Sequence, residues 1–257
     1  MDRLKETAAT QKRKRIHDTT RPFLCQYLVN WIVISYIGLM NAVGLTLSFF
    51  FIITLLLGGW FFYRYKFFSK ESWRKFIHIG VSSWWFILIF TIDNLFVALI
   101  GPLLFIVVNT LFVTKGWVDL IGIGDKKRNL GLIYFPITLV VMVYLGYSNL
   151  VPLWACGMGW FAMGYGDGMA ALFGRKYGKH KILANKTVLG STVMFVSTFC
   201  VVALFTYFYK LGSPVGLKTF AIAAIATAVE ALTPWNLDNL TVPFATMAAG
   251  WFLLGVL

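Results

Sequence analysis

The sequence predicts an all-α, polytopic membrane protein: a transmembrane bundle of about nine helices with its N-terminus on the cytoplasmic side. Three observations predict it. Of 257 residues, 59% are hydrophobic and 13% are charged, with a mean hydropathy of +0.75, far more apolar and about half as charged as an ordinary soluble domain. The apolar residues fall into runs of about 17 to 22, the length at which a helix crosses a bilayer. The Lys and Arg residues are unevenly shared between the two ends of those runs, with 21 of 23 on one side, as the positive-inside rule requires of cytoplasmic loops.

Residues 1–22 are polar and basic, with no short apolar core before a small-residue cleavage site, so they read as a flexible cytoplasmic tail rather than a cleavable signal. The run Lys12-Arg13-Lys14-Arg15 suits anionic lipid head groups. Residues 23–257 read as a single transmembrane domain with spans near 23–42, 43–62, 76–92, 95–113, 131–147, 150–172, 188–209, 216–233 and 240–257. Only Asn41 and Gly44 mark a turn between the first two. Counted along the chain, 7 basic residues lie in the tail, 5 between spans two and three, 4 between four and five and 5 between six and seven, leaving Lys210 and Lys218 on the opposite face. No internal repeat, low-complexity stretch or separate soluble domain interrupts the pattern.

The same residues weigh against several functions, a membrane transporter being the less favoured alternative among them. A net charge of +13 could suggest nucleic acid, but the basic residues are scattered among short loops and no basic domain stands apart, so no nucleic-acid partner is expected. Cys25, Cys156 and Cys200 lie inside apolar runs without paired spacing, which indicates neither a disulfide framework nor a zinc site. The stretch Gly174-Arg175-Lys176-Tyr177-Gly178-Lys179-His180 lacks the spacing and the Lys-Ser/Thr ending of a P-loop. A transporter would place charges near the bilayer midplane, often with inverted repeats. Here the polar clusters gather at one face.

Those clusters carry the chemistry. Asp167 stands between glycines in Gly164-Tyr165-Gly166-Asp167-Gly168, at the end of an apolar run. A carboxylate inside a membrane segment is costly and marks a functional site by default, and the flanking Gly166 and Gly168 would let a ligand approach the backbone. The structural alternative is that the glycines pack helices and Asp167 caps the next turn. Magnesium takes carboxylates together with substrate phosphates, so Asp167 suits Mg²⁺ on a nucleotide, with Glu230 and Asp238 as further carboxylates. Phosphoryl transfer needs positive charge around the moving oxygens, and Arg175, Lys179 and Lys186 are the nearest basic residues in sequence. Lys176 and Lys181 read as solvated loop lysines. Arg74 and His78 are four apart and Lys75 and His78 three apart, which lets all three border one pocket.

In order, Arg74-Lys75-x-x-His78, the Lys126-Lys127-Arg128-Asn129-Leu130-Gly131 stretch leading to Tyr134-Phe135-Pro136, Gly166-Asp167-Gly168-Met169-Ala170-Ala171-Leu172-Phe173-Gly174-Arg175, Asn185-Lys186-Thr187, Gly190-Ser191 and Asp238-Asn239-Leu240-Thr241-Val242-Pro243 form a pattern over residues 74–243. The pattern resembles the polyprenol kinase family, which groups dolichol kinases, phytol kinases and CTP-dependent diacylglycerol kinases. The resemblance implies an integral-membrane kinase that moves the γ-phosphate of CTP to a lipid alcohol at the cytoplasmic face, with Mg²⁺ as cofactor. It also implies roles. Asp167 looks like the metal and nucleotide carboxylate, and Asp167, His78 and Asp238 are expected as the catalytic groups; Glu230 is expected as a further metal ligand from its own chemistry and not from the resemblance. Nucleotide and phosphate contacts are expected from Arg74, Lys75, Lys126, Lys127, Arg128, Gly166, Gly168, Arg175, Lys179, Lys186, Thr187 and Asn239. His78, Asp238 and Asp167 are all candidates to take the hydroxyl proton.

One departure matters: many relatives carry an acidic residue before the Gly-Ser pair, where this chain has Leu189. That leaves Glu230 or Asp238 to supply the further carboxylate. The rival reading is a phosphatidate cytidylyltransferase, which also uses CTP and Mg²⁺ but releases pyrophosphate instead of CDP. The acceptor, whether phytol, a longer polyprenol or diacylglycerol, is not chosen by the residues.

Overall fold

A computed structural model describes residues 2–116, 126–182, 186–234 and 237–255, with side chains from residue 30 onward and, in the fourth helix, from 130 onward. Among these the helices are α1 (Asp2–Arg64), α2 (Lys70–Thr91), α3 (Leu95–Thr114), α4 (Lys126–Tyr147), α5 (Leu153–Phe161), α6 (Gly168–Tyr177), α7 (Val188–Phe208), α8 (Leu217–Leu232) and α9 (Asp238–Leu254). A π-helical segment, Ala162–Asp167, joins α5 to α6, so the chain makes eight helical rods. The only strand-like pairing among the described residues is an isolated bridge between Lys181 and Thr187. Residues 1–43 form one compact unit and 44–257 another.

The first two expected spans are one helix, and residues 2–22 are helical instead of a flexible tail. The turn signals at 41–44 are spent otherwise. Asn41 donates its side-chain amide to the Ile37 carbonyl at 2.9 Å, an internal bond that leaves the helical ladder intact. Gly44 lies against Thr91 and Ile92 at the end of α2, where a Cβ would collide with both side chains. Four stretches are long and apolar enough to cross a membrane: 30–64, Leu95–Thr114, Leu130–Tyr147 and Val188–Phe208. The other expected spans fall short for different reasons. α8 and α9 have only 16 and 17 residues, α2 opens with Lys70, Glu71, Arg74 and Lys75, and the π-segment interrupts the sixth.

The α5–π–α6 rod lies at the centre of the second unit. Every residue from Ala155 to Gly164 is buried; Trp160 and Met163 share one core with Trp85, Met142 and Met194, and Met158 packs in a second with Val202, Ile222 and Leu254. Small residues let neighbouring backbones close on this rod, as membrane helix packing demands. Gly164 sits directly against the Ser82 side chain of α2, and Gly159 sits against the Pro243 carbonyl of α9. Polar side chains close the remaining gaps: Trp160 donates to the Ser82 carbonyl at 3.1 Å, Trp84 donates to Ser48 Oγ at 2.7 Å, and the Ser83 and Tyr165 hydroxyls are 2.7 Å apart.

Two prolines inside helices are compensated across helix contacts. A proline at position i has no N–H for the carbonyl at i−4. Pro136 in α4 frees the Leu132 carbonyl, which accepts from Asn109 Nδ2 of α3 at 2.9 Å. Pro243 in α9 frees the Asn239 carbonyl, which accepts from Thr138 Oγ1 of α4 at 2.9 Å.

The Gly164–Ser82 contact yields a direct expectation. Gly164→Ala should force α2 from the central rod and destabilise the protein by roughly 1–3 kcal/mol, the usual cost of overpacking. Gly58→Ala, whose Cβ would meet no atom within 4 Å, should leave the thermal midpoint in detergent within about 1 °C of wild type. Equal midpoints for the two variants would contradict this packing.

Candidate active site

The site forms where one end of α2 meets the π-segment, the end of α8 and the start of α9. Ser69 caps α2 by accepting from the Ser72 N–H at 3.1 Å. From that start Glu71, Arg74, Lys75 and His78 follow at spacings that share one helical face. Asp167 is the last residue of the π-segment, Glu230 lies in the last turn of α8 and Asp238 is the first residue of α9. The non-α geometry of a π-turn re-aims side chains, and such turns recur at functional sites. Here it brings Asp167 to the end of a rod that is otherwise apolar core.

Asp167, Glu230 and Asp238 are all buried and each offers a carboxylate oxygen, these lying within 4.8 Å of one another. Three such charges cannot share a dry pocket uncompensated. Lys75 donates to Asp167. Lys186 donates to both Glu230 and Asp238, the latter at 2.9 Å. His78 Nε2 is 3.7 Å from Asp167 Oδ2, and its ring packs 4.4 Å from Phe135, which in turn lies 4.8 Å from Trp160. Glu230 Oε2 and His78 Nε2 are buried with no hydrogen-bond partner among the described residues. The donor set is wholly carboxylate oxygen with one oxygen uncommitted, which fits a hard divalent cation.

At the rim Glu71 bridges two arginines. Arg74 reaches it at 2.6 Å and Arg175 at 3.2 Å, the latter with its side chain 48% exposed. Burial alone would raise the Glu71 carboxyl, but the hydrogen bond and charge of Arg74, with Arg175 and Lys75 behind it, hold it below the usual glutamate range. Burial would likewise lower the Lys186 ammonium, and the charges of Asp238, Asp167 and Glu230 push it above the ordinary lysine value instead. Lys186 therefore stays protonated across the physiological range.

The structure thus collects Arg74, Lys75, His78, Asp167, Arg175, Lys186, Glu230 and Asp238 from five separate segments. Other expected contacts build the site without facing it. Thr187 caps α7, accepting from the Gly190 N–H at 3.1 Å. Asn239 donates its backbone N–H to Asp238 Oδ1 at 3.0 Å and its side-chain amide to the Gly131 carbonyl at 3.4 Å. Gly166 and Gly168 are helix-packing positions, since a Cβ on Gly166 would lie 2.7 Å from Met194 Sδ and one on Gly168 would strike Ile79. Lys179 is exposed beyond α6 and joins none of these pairs. The side chains of Lys126, Lys127 and Arg128 lie outside the described residues. Glu71 and Thr138 were missed in the sequence: Glu71 gives itself away only by its i,i+3 spacing to Arg74, and Thr138 gives no local signal.

Known proteins of similar sequence are named as alcohol kinases. Over 193 residues, 70% of this chain and 78% of the relative, the sequence is 27% identical to the phytol kinase of Synechocystis. The chain is thus similar to phytol and dolichol kinases, and what those relatives support for it is a phosphotransferase acting on an alcohol. It is also 35% identical over 136 residues to a probable chloroplastic phytol kinase of rice, covering 49% of this chain and 42% of that protein. It is 27% identical over 118 residues to a dolichol kinase of Schizosaccharomyces pombe, covering 41% of this chain and 23% of that one. The chain therefore spans most of the cyanobacterial relative and less than half of the plant and yeast ones. No family model and no solved structure matches it.

Removing one cation from the carboxylate group should be expensive. Lys186→Met should lower stability by roughly 3 kcal/mol, the cost of stranding buried charge, and adding Glu230→Gln should recover part of the loss. Thermal unfolding in detergent checks both; a Lys186→Met protein as stable as wild type would show that the carboxylates are not held by this lysine.

Proposed function

We propose that this chain is a CTP-dependent kinase that phosphorylates the hydroxyl of a membrane isoprenoid alcohol, working at the cytoplasmic face. The observation that carries the reading is the buried carboxylate trio, Asp167, Glu230 and Asp238, interleaved with Lys75 and Lys186 and rimmed by Arg74 and Arg175. Phosphoryl transfer asks a protein mainly for positioning and for charge neutralisation, and this arrangement offers both. The relatives support an alcohol as acceptor, since those named are phytol and dolichol kinases.

Asp167, Glu230 and Asp238 would hold Mg²⁺, which when bound supplies charge stabilisation to the phosphate oxygens. Lys75, Lys186, Arg74 and Arg175 bind the phosphates and fix their orientation. Phe135 and Trp160 pack as apolar core beside His78, which suits a site that an alcohol approaches from the membrane. The alcohol oxygen bonds to the γ-phosphorus as the β–γ bridge breaks and CDP leaves. The hydroxyl proton passes to His78 Nε2, which has no other partner among the described residues and lies beside Asp167; Asp167 and Asp238 are already engaged by lysines.

Purified protein incubated with γ-³²P-CTP, Mg²⁺ and phytol, farnesol, dolichol or diacylglycerol should label an isoprenoid alcohol and release CDP. ATP should serve poorly. Pyrophosphate release on addition of phosphatidic acid, with no labelled lipid, would instead identify a cytidylyltransferase. Asp167→Asn should lower turnover by roughly 10²-fold or more while the protein still folds, and near-normal turnover would remove Asp167 from the reaction.

A further inference from the structure

We infer that Thr138 is a positioning residue: its hydroxyl replaces the helical N–H that Pro243 lacks and so fixes Asp238 at the carboxylate cluster. The inference rests on the reading of Asp238 as part of the phosphoryl-transfer site, but its structural half stands on geometry alone.

In an unbroken helix the Asn239 carbonyl would accept from the N–H at position 243. Proline has none, and Thr138 Oγ1 donates to that carbonyl at 2.9 Å instead. Both Thr138 and Asn239 are buried, so no water is at hand to take over the bond, and an orphaned buried carbonyl is costly. Asn239 is held to α4 a second time through its amide and the Gly131 carbonyl. Its own backbone N–H donates to Asp238 Oδ1 at 3.0 Å, while the other oxygen of Asp238 receives Lys186 at 2.9 Å. α4 therefore supplies to the first turn of α9 the bond that its own helix lacks. Asp238 has the freedom of a helix terminus, and Thr138 removes it. A proline here also keeps the carbonyl committed to α4, because no intrahelical donor competes for it.

The test is a double-mutant cycle between positions 138 and 243, read by thermal midpoint and by phosphate transfer per folded molecule. Thr138→Val keeps shape and removes the donor; it should lower kcat roughly tenfold, the low end of what loss of support behind a ligating residue costs, with a smaller change in the KM for CTP. Thr138→Ser should stay within about threefold of wild type. Pro243→Ala restores the missing N–H, so in that background Thr138→Val should cost little in either midpoint or kcat. Equal turnover of Thr138→Val and wild type would overturn the positioning role, and so would a Thr138→Val defect unchanged by Pro243→Ala. If Thr138→Val alone does not fold, its comparison within the Pro243→Ala background decides. If wild type transfers no phosphate to any alcohol, the functional reading fails instead; the midpoints then decide the substitution of hydroxyl for N–H, which additive effects at 138 and 243 would overturn.

Discussion

Three carboxylates within 4.8 Å of one another, buried at one end of an apolar bundle, are the constraint on which the rest of this structure depends. Charge of one sign at that density in a poorly solvated place is unfavourable by many kcal/mol unless cations and hydrogen bonds meet it. Lys75 and Lys186 meet it, each from a different segment, and so tie the start of α2 and the approach to α7 to the central rod and to the α8–α9 corner. Electrostatic need thus decides which helix ends converge. In the proposed reaction the same need draws in a divalent cation and a triphosphate, whose charges suit the carboxylates and the lysines respectively.

Convergence of helix ends requires the helices themselves to approach closely, and backbone chemistry decides where they can. Gly159 and Gly164 remove side chains where α9 and α2 press on the central rod. Pro136 and Pro243 remove backbone donors where α4 meets α3 and α9, and Asn109 and Thr138 reach across to supply them. A proline in a membrane helix usually marks flexibility or a kink. Here each also creates an acceptor that only a neighbouring helix can satisfy, so it specifies which helices are neighbours. The π-segment adds the last adjustment, because a regular α-helix from Leu153 onward would not end its turn on Asp167 in the same direction.

Much of this was legible in the chain. The helical class and the apolar runs follow from composition and run length, and Arg74, Lys75 and His78 share a face because residues three and four apart on a helix must. The charged residues of the site were nearly all recognisable as charges without a soluble domain to belong to. What misled was polarity read locally. Asn41 and Gly44 look like a turn, yet Asn41 bonds inside its own helix and Gly44 is a packing surface. Gly166 and Gly168 look like an open cradle, yet Met194 and Ile79 fill the space beside them. Thr187 and Asn239, read from the sequence as phosphate contacts, also tie helices together, Thr187 by capping α7 and reaching the Gly174 carbonyl of α6, Asn239 by bonding to α4.

Composition and run length alone make this protein a bundle of apolar helices with its polar chemistry at helix ends, because hydrophobicity and charge are properties each residue carries wherever the chain goes. Tertiary structure alone decided which carboxylate meets which lysine, which glycines are contacts rather than openings, and which hydroxyl completes a proline-broken helix. Those are pairings between residues as much as 101 positions apart, as for Thr138 and Asn239. A pairing at that distance leaves no local trace, since it comes from satisfying buried donors, acceptors and charges all at once.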